Sequence, residues 1–140
     1  MKDARRHILL VDDDPDFLEA HRQLFEAAGY RVSCATDPHE AERLMETDKP
    51  DVVITDLMMR ALDSGFSFVR RLRDNPHFAD VRVIIVTAVS SRRGFDFRPR
   101  TREDIAAMRA DAFFEKPASP EQLMTTVRQL LEREKSGGEK

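Results

Sequence analysis

One cysteine in 140 residues, Cys34, leaves the chain without an internal disulfide. It lies in Val32-Ser33-Cys34-Ala35, a strand-like segment, and reads as a small buried hydrophobe, not a reactive thiol. The four histidines, His7, His21, His39 and His77, are scattered, so no His/Cys metal-binding spacing exists. No apolar stretch approaches the roughly 20 residues that span a bilayer, and Met1-Lys2-Asp3-Ala4-Arg5-Arg6 leads into a strand, not into a signal-peptide apolar region. A cytoplasmic protein without a membrane partner is therefore expected. A net charge of −3 gives no broad basic footprint, which disfavours nucleic acid as a partner. With 41% hydrophobic and 35% charged residues, a chain of this length reads as one globular domain with a sizeable core.

What the chain does have is a set of short apolar runs, each ending on a polar group. Ile8-Leu9-Leu10-Val11 ends on Asp12-Asp13, Val52-Val53-Ile54-Thr55 on Asp56, Val83-Ile84-Ile85-Val86 on Thr87, and Ala112-Phe113-Phe114-Glu115 on Lys116-Pro117. Runs rich in Val and Ile without clean alternation predict strands buried on both faces. The polar residues should then emerge at the carboxyl edge of a sheet, where open α/β folds bind ligands. A second strand is expected over Tyr30 to Ala35.

Helix signals alternate with these runs, so the fold class is α/β with a parallel sheet. Asp14-Pro15 and Asp37-Pro38 each pair an N-cap with a proline at the first helical position, and Glu40 is placed to complete a capping box. In the first helix Phe17, Leu18, His21, Leu24, Phe25 and Ala28 form the expected inward stripe, closed by Gly29; in the second, Ala41, Leu44 and Met45 face in. A third helix is expected over 65–74, with Phe66, Val69 and Leu72 inward and Arg70, Arg71 and Arg73 in solvent. Ala88 to Arg102 reads mainly as loop, followed by a short helix to about Arg109. Ser119-Pro120-Glu121-Gln122 opens a last helix through Leu123, Val127, Leu130 and Leu131 that frays near Lys135, leaving 136–140 as a solvated tail.

Asp12, Asp13 and Asp56 would bring three carboxylates into a small volume, which is costly unless a hard cation joins them. Mg2+ takes oxygen ligands and is commonly held by one or two carboxylates with phosphate oxygens. Thr87 adds a hydroxyl donor and Lys116 a compact positive charge, which suit phosphoryl oxygens. One carboxylate is then free to act as a nucleophile through an acyl phosphate, and Asp56, alone at the end of its strand, is the choice. Asp12, Asp14 and Asp16 also have the odd spacing of a calcium loop, but Phe17 and Gln23 stand where a glycine and a bidentate Glu are needed.

In Val11-Asp12-Asp13-Asp14-Pro15, Asp56-Leu57-Met58-Met59, Thr87-Ala88 and Phe113-Phe114-Glu115-Lys116-Pro117, in this order and approximate spacing, the chain resembles the receiver domain of two-component response regulators. The resemblance covers nearly the whole chain. It implies a flavodoxin-like, doubly wound, five-stranded parallel sheet in the order 2-1-3-4-5, with helices on both faces, as a domain over 1–135. It also implies that Asp56 accepts a phosphoryl group from a histidine kinase or histidine phosphotransfer domain. Asp13 and Asp56 would bind Mg2+ with the backbone carbonyl of Met58, and Asp12 would act through bound water. Thr87 and Lys116 would contact the phosphoryl group. Phe113 matches the family's switch aromatic, which moves inward as the threonine hydroxyl turns to the phosphate. The readout would be a changed protein-binding surface, formed in family terms by the fourth helix, fifth strand and fifth helix. It would meet a downstream protein or a second copy as a homodimer.

A stand-alone receiver of this kind would catalyse only its own phosphorylation and dephosphorylation and transform no free metabolite. Two departures from the family pattern stand out. Arg60-Ala61-Leu62-Asp63-Ser64-Gly65 lacks the usual proline and places its glycine late, which bears on kinase docking and phosphate lifetime. The segment from Thr87 to Lys116 is longer than usual and holds an Arg/Phe-rich stretch over 90–102, read as a solvated insertion. The competing readings are a small phosphohydrolase forming an aspartyl phosphate, for which the chain leaves little room for a substrate-covering cap, and an interaction module independent of phosphate. Intact Asp56, Thr87 and Lys116 count against the latter.

Overall fold

The computed structural model describes residues 5–56, 64–87 and 110–137, with side chains given outside 64–66 and 133–137. Five strands, β1 (His7–Val11), β2 (Arg31–Ala35), β3 (Val52–Thr55), β4 (Arg82–Thr87) and β5 (Ala112–Glu115), form one sheet in the order β2-β1-β3-β4-β5. Every pairing is parallel. Four helices are described: α1 (Pro15–Ala27), α2 (Pro38–Thr47), α3 (Ser64–Asp74) and a C-terminal helix, Pro120–Gly137. This is the expected flavodoxin-like topology.

The alternation of side chains along each strand divides the core into two layers. Leu9, Val11, Val53, Val83 and Ile85 pack with Ala41, Met45, Phe68, Val69 and Leu72 of α2 and α3. Ile8, Leu10, Val52, Ile54, Ile84 and Val86 pack on the other face with Leu18 and Phe25 of α1 and with Leu123, Val127, Leu130 and Leu131 of the C-terminal helix. Because β1, β3 and β4 are central, both of their faces are covered, which is why their sequences are uninterrupted apolar runs.

Helix starts follow the sequence signals. The Asp14 carboxylate accepts from the Asp16 N–H at 2.9 Å, and Asp37 accepts from the Glu40 N–H at 2.8 Å. Glu40 reaches back one residue farther than a standard capping box, to the Thr36 N–H at 2.8 Å. Gly29 closes α1 at φ +97°, a backbone conformation that strains any side chain, although open space surrounds the position.

Several expectations need correction. β5 is an edge strand, so Ala112, Phe113 and Phe114 are only half-buried and Glu115 is exposed, instead of buried on both faces. Ala28 caps α1 in solvent and does not join its inward stripe. Phe68 occupies the α3 core face at 0% exposure, a position the helical spacing from Phe66 did not select. Arg73 is not in solvent: with its side chain 7% exposed, it donates to the carbonyls of Ala79 at 3.0 Å and Val81 at 2.7 Å and to the Asp111 carboxylate at 3.2 Å. The turn after α3 presents carbonyls at the end of the helix, and a long cation satisfies them. The C-terminal helix continues through Gly137, past the expected fraying point at Lys135. The expected helix near 102–109, the 90–102 stretch, and 60–63 of the altered loop lie outside the described residues.

His7, part of no metal-binding spacing, has a structural role. At 2% exposure it is buried at the amino end of β1. Its Nδ1 donates to the Lys49 carbonyl at 3.5 Å, leaving Nε2 to accept from the Ser33 hydroxyl at 2.8 Å. Burial lowers its pKa from 6.5, against the charge of Asp48. A histidine held neutral in the fold gains a proton more readily when unfolded, so its stabilising contribution is full above about 6.5 and is lost as pH falls through its folded pKa. We expect chemical-denaturation free energies to decline across that window, by at most about 1.4 kcal/mol per pH unit from this group. His7→Asn should remove that part of the slope; an unchanged slope would contradict the assignment.

Candidate phosphoryl-transfer site

The carboxyl ends of the central strands continue the sheet's hydrogen bonding by one residue, which fixes the backbone of the site. Asp12 N–H donates to the Ala35 carbonyl at 3.1 Å, Asp56 N–H to Val11 at 3.0 Å, and Lys116 N–H to Thr87 at 2.9 Å. Asp12 (1% exposed), Asp56 (6%) and Thr87 (0%) are buried together at this edge. Lys116 arrives from the end of the edge strand and is followed by a cis peptide bond to Pro117.

Their side chains form one connected network. The Thr87 hydroxyl donates to Asp56 Oδ1 at 2.6 Å. Lys116 Nζ donates to Asp12 Oδ2 at 2.7 Å and to Asp56 Oδ2 at 3.2 Å. The second oxygen of Asp12 accepts the Asp14 N–H at 2.9 Å, so the turn into α1 also steadies this carboxylate. Charge-assisted bonds of this kind are the stronger class of hydrogen bond.

Burial pushes the Asp12 carboxyl above the usual carboxylate range, even though the Lys116 hydrogen bond and charge pull it down. Burial also opposes the charge on Lys116, but its hydrogen bond to Asp12 and the charges of Asp56 and Asp12 outweigh this and raise its pKa. The two directions are compatible because Asp12 is the more deeply buried partner, its side chain 1% exposed against 22% for Lys116. The ammonium is partly open to solvent, whereas the carboxylate is almost closed off from it.

Asp12, Asp13 and Asp56 each bring one carboxylate oxygen within 4.8 Å of the others. A set of hard oxygen donors and no sulfur or nitrogen suits Mg2+, and three like charges with one lysine leave negative charge for a cation to neutralise. Met58, the fourth expected ligand, lies outside the described residues. Phe113 is half-buried on β5, in register with Ile85, and packs against the core layer of α2 and α3. It therefore shares a sheet face with Ile85 and, two residues on, Thr87.

The sequence reading missed one neighbour of this network. Phe17, assigned only to the inward stripe of α1, lies with its ring centroid 4.6 Å from Lys116 Nζ. Helical spacing marks a residue as inward but cannot say that a lysine from β5 will meet it. No helix among the described residues is long and apolar enough to cross a membrane.

Comparison with known proteins agrees with this geometry. Residues 8–128 match the family model of the response regulator receiver domain. Response regulator Rre1 of Synechocystis sp. is 32% identical over 135 residues, covering 94% of this chain and 54% of that protein. Response regulator MprA of Mycolicibacterium vanbaalenii is 35% identical over 128 residues, covering 90% of this chain and 50% of that protein. The chain thus spans about half the length of these two relatives. Among solved structures, the signal receiver domain of a signal transduction histidine kinase from Syntrophus aciditrophicus superposes with a TM-score of 0.77 at 29% identity, covering 91% of this chain and 90% of that one. The chemotaxis response regulator CheY4 of Vibrio cholerae gives 0.76 at 25% identity, covering 91% and 99%. With the strand order, the acidic cluster and a family match over most of its length all in agreement, the chain belongs to the receiver domains of response regulators, the phosphorylatable modules of two-component signalling.

Proposed function

We propose that Asp56 takes a phosphoryl group from a phosphohistidine of a histidine kinase or histidine phosphotransfer domain, and that the acyl phosphate changes a protein-binding surface. The observation that carries this reading is the setting of the Asp56 carboxylate. It is bonded on one oxygen by Thr87 and on the other by Lys116, beside two further carboxylates. A carboxylate oxygen of Asp56 forms the new O–P bond while the P–N bond of phosphohistidine breaks, and the departing imidazole takes up a proton. Lys116 and Thr87 then serve as donors to the phosphoryl oxygens, which carry the negative charge of the product.

Asp12, Asp13 and Asp56, with the Met58 carbonyl, would hold Mg2+, which neutralises charge so that an anionic phosphoryl group can approach the carboxylates. A dianion on Asp56 draws the Thr87 hydroxyl and the Lys116 ammonium toward new partners. Phe113, on the face of Thr87, is the side chain that fills the space the hydroxyl leaves. A cytoplasmic setting and a protein target follow from this reading.

The test is incubation with acetyl phosphate and Mg2+, read by intact mass. We expect addition of one phosphoryl group, lost with chelator and weakened progressively as acid protonates the carboxylates. No uptake, with no binding of a beryllofluoride phosphate mimic, would make the chain an interaction module independent of phosphate. Sustained release of phosphate from simple esters would make it a hydrolase.

A further inference from the structure

An ammonium has three N–H donors. Two of those on Lys116 meet Asp12 and Asp56, and the side of the ammonium facing α1 meets the ring of Phe17 at 4.6 Å. The ring is itself held in place. His21, one helical turn on, stacks on it with centroids 4.0 Å apart and planes 24° from parallel, and His21 Nδ1 donates to the Phe17 carbonyl at 2.9 Å. Phe17 also packs against the core layer of α1 and the C-terminal helix. A partly desolvated cation beside a fixed aromatic ring is attracted by the ring quadrupole.

We propose that Phe17 is a positioning residue for phosphoryl transfer, acting through Lys116 by a cation–π contact. This rests on the function proposed above. To reach a phosphoryl oxygen on Asp56, Lys116 must give up a carboxylate contact, and a flexible four-carbon stem would otherwise let the freed ammonium swing into water. The ring carries no net charge, so it does not compete with the phosphoryl group for the proton donors. It keeps the ammonium at the site while its anionic partners change.

The experiment replaces Phe17 site-specifically with mono-, di- and trifluorophenylalanine, which keep the shape of the ring and progressively weaken its negative face. The rate of phosphoryl uptake from acetyl phosphate at saturating Mg2+ should fall stepwise with each fluorine, to about three- to tenfold overall. Phe17→Leu should fall as far, and Phe17→Tyr should retain the wild-type rate. A role in packing alone predicts no trend with fluorination. As a second readout, the Lys116 side-chain protons of the metal-free protein should show an upfield ring-current shift that Phe17→Leu removes. Equal rates across the series in a protein that is phosphorylated on Asp56, or the absence of the ring-current shift, would overturn the proposal. A wild type that takes up no phosphate at all would instead defeat the underlying function, and this role with it.

Discussion

Asp56→Asn is expected to abolish phosphoryl uptake, lowering incorporation from acetyl phosphate by about a hundredfold or more, because it removes the proposed nucleophile. The substitution is close to isosteric, and the amide oxygen can still accept the hydrogen bond from Thr87 that the carboxylate accepts at 2.6 Å. The fold should therefore survive, which circular dichroism and a cooperative thermal transition would check. Loss of uptake with the fold intact places the chemistry on this side chain. Uptake that persists, with the label mapped to Asp12 or Asp13, would reverse the division of labour proposed here. In that case the carboxylates at the end of β1 would supply the nucleophile.

The largest effect on stability is expected at Phe25. This residue of α1 is 0% exposed and packs in the layer built by Ile8, Leu10, Val52, Ile54 and the C-terminal helix, with an edge-on contact to Tyr30 at 6.0 Å. Phe25→Ala removes a large buried ring and leaves a cavity between a helix and a sheet that cannot close independently. The expected loss is about 3–5 kcal/mol, large against a typical domain stability of roughly 5–15 kcal/mol. Urea denaturation should show a lower midpoint with an unchanged slope. Phe25→Leu should cost much less, because most of the volume remains. A loss below about 1 kcal/mol for the alanine variant would mean that this face of α1 is not packed as described.

The parts of the fold legible from sequence are those governed by local chemistry. Val52–Thr55 is a strand in both readings because a four-residue run of apolar and β-branched side chains suits a position covered on both faces. Asp14-Pro15 and Asp37-Pro38 start helices because cap and proline act on the backbone within one turn. Phe68, Arg73 and His7 were not legible for the opposite reason. Each is placed by a partner far along the chain or by the face a helix turns to the sheet: Arg73 by Asp111, His7 by Ser33 and Lys49. Charge and polarity suggest solvent for both, and only enclosure by these hydrogen-bond partners makes burial favourable.

The same division holds at the site. By itself the sequence determined that Asp12, Asp56, Thr87 and Lys116 stand at strand ends, since the apolar runs stop there and strands of a parallel sheet share one carboxyl edge. Only the tertiary structure decided which group meets which. Thr87 bonds Asp56 across 31 positions, Lys116 bonds Asp56 across 60 and Asp12 across 104, and Phe17 of α1 lies against the same ammonium. The physical reason is that these contacts depend on strand order and on the reach of each side chain across the edge, and neither is written in the spacing of neighbours along the chain.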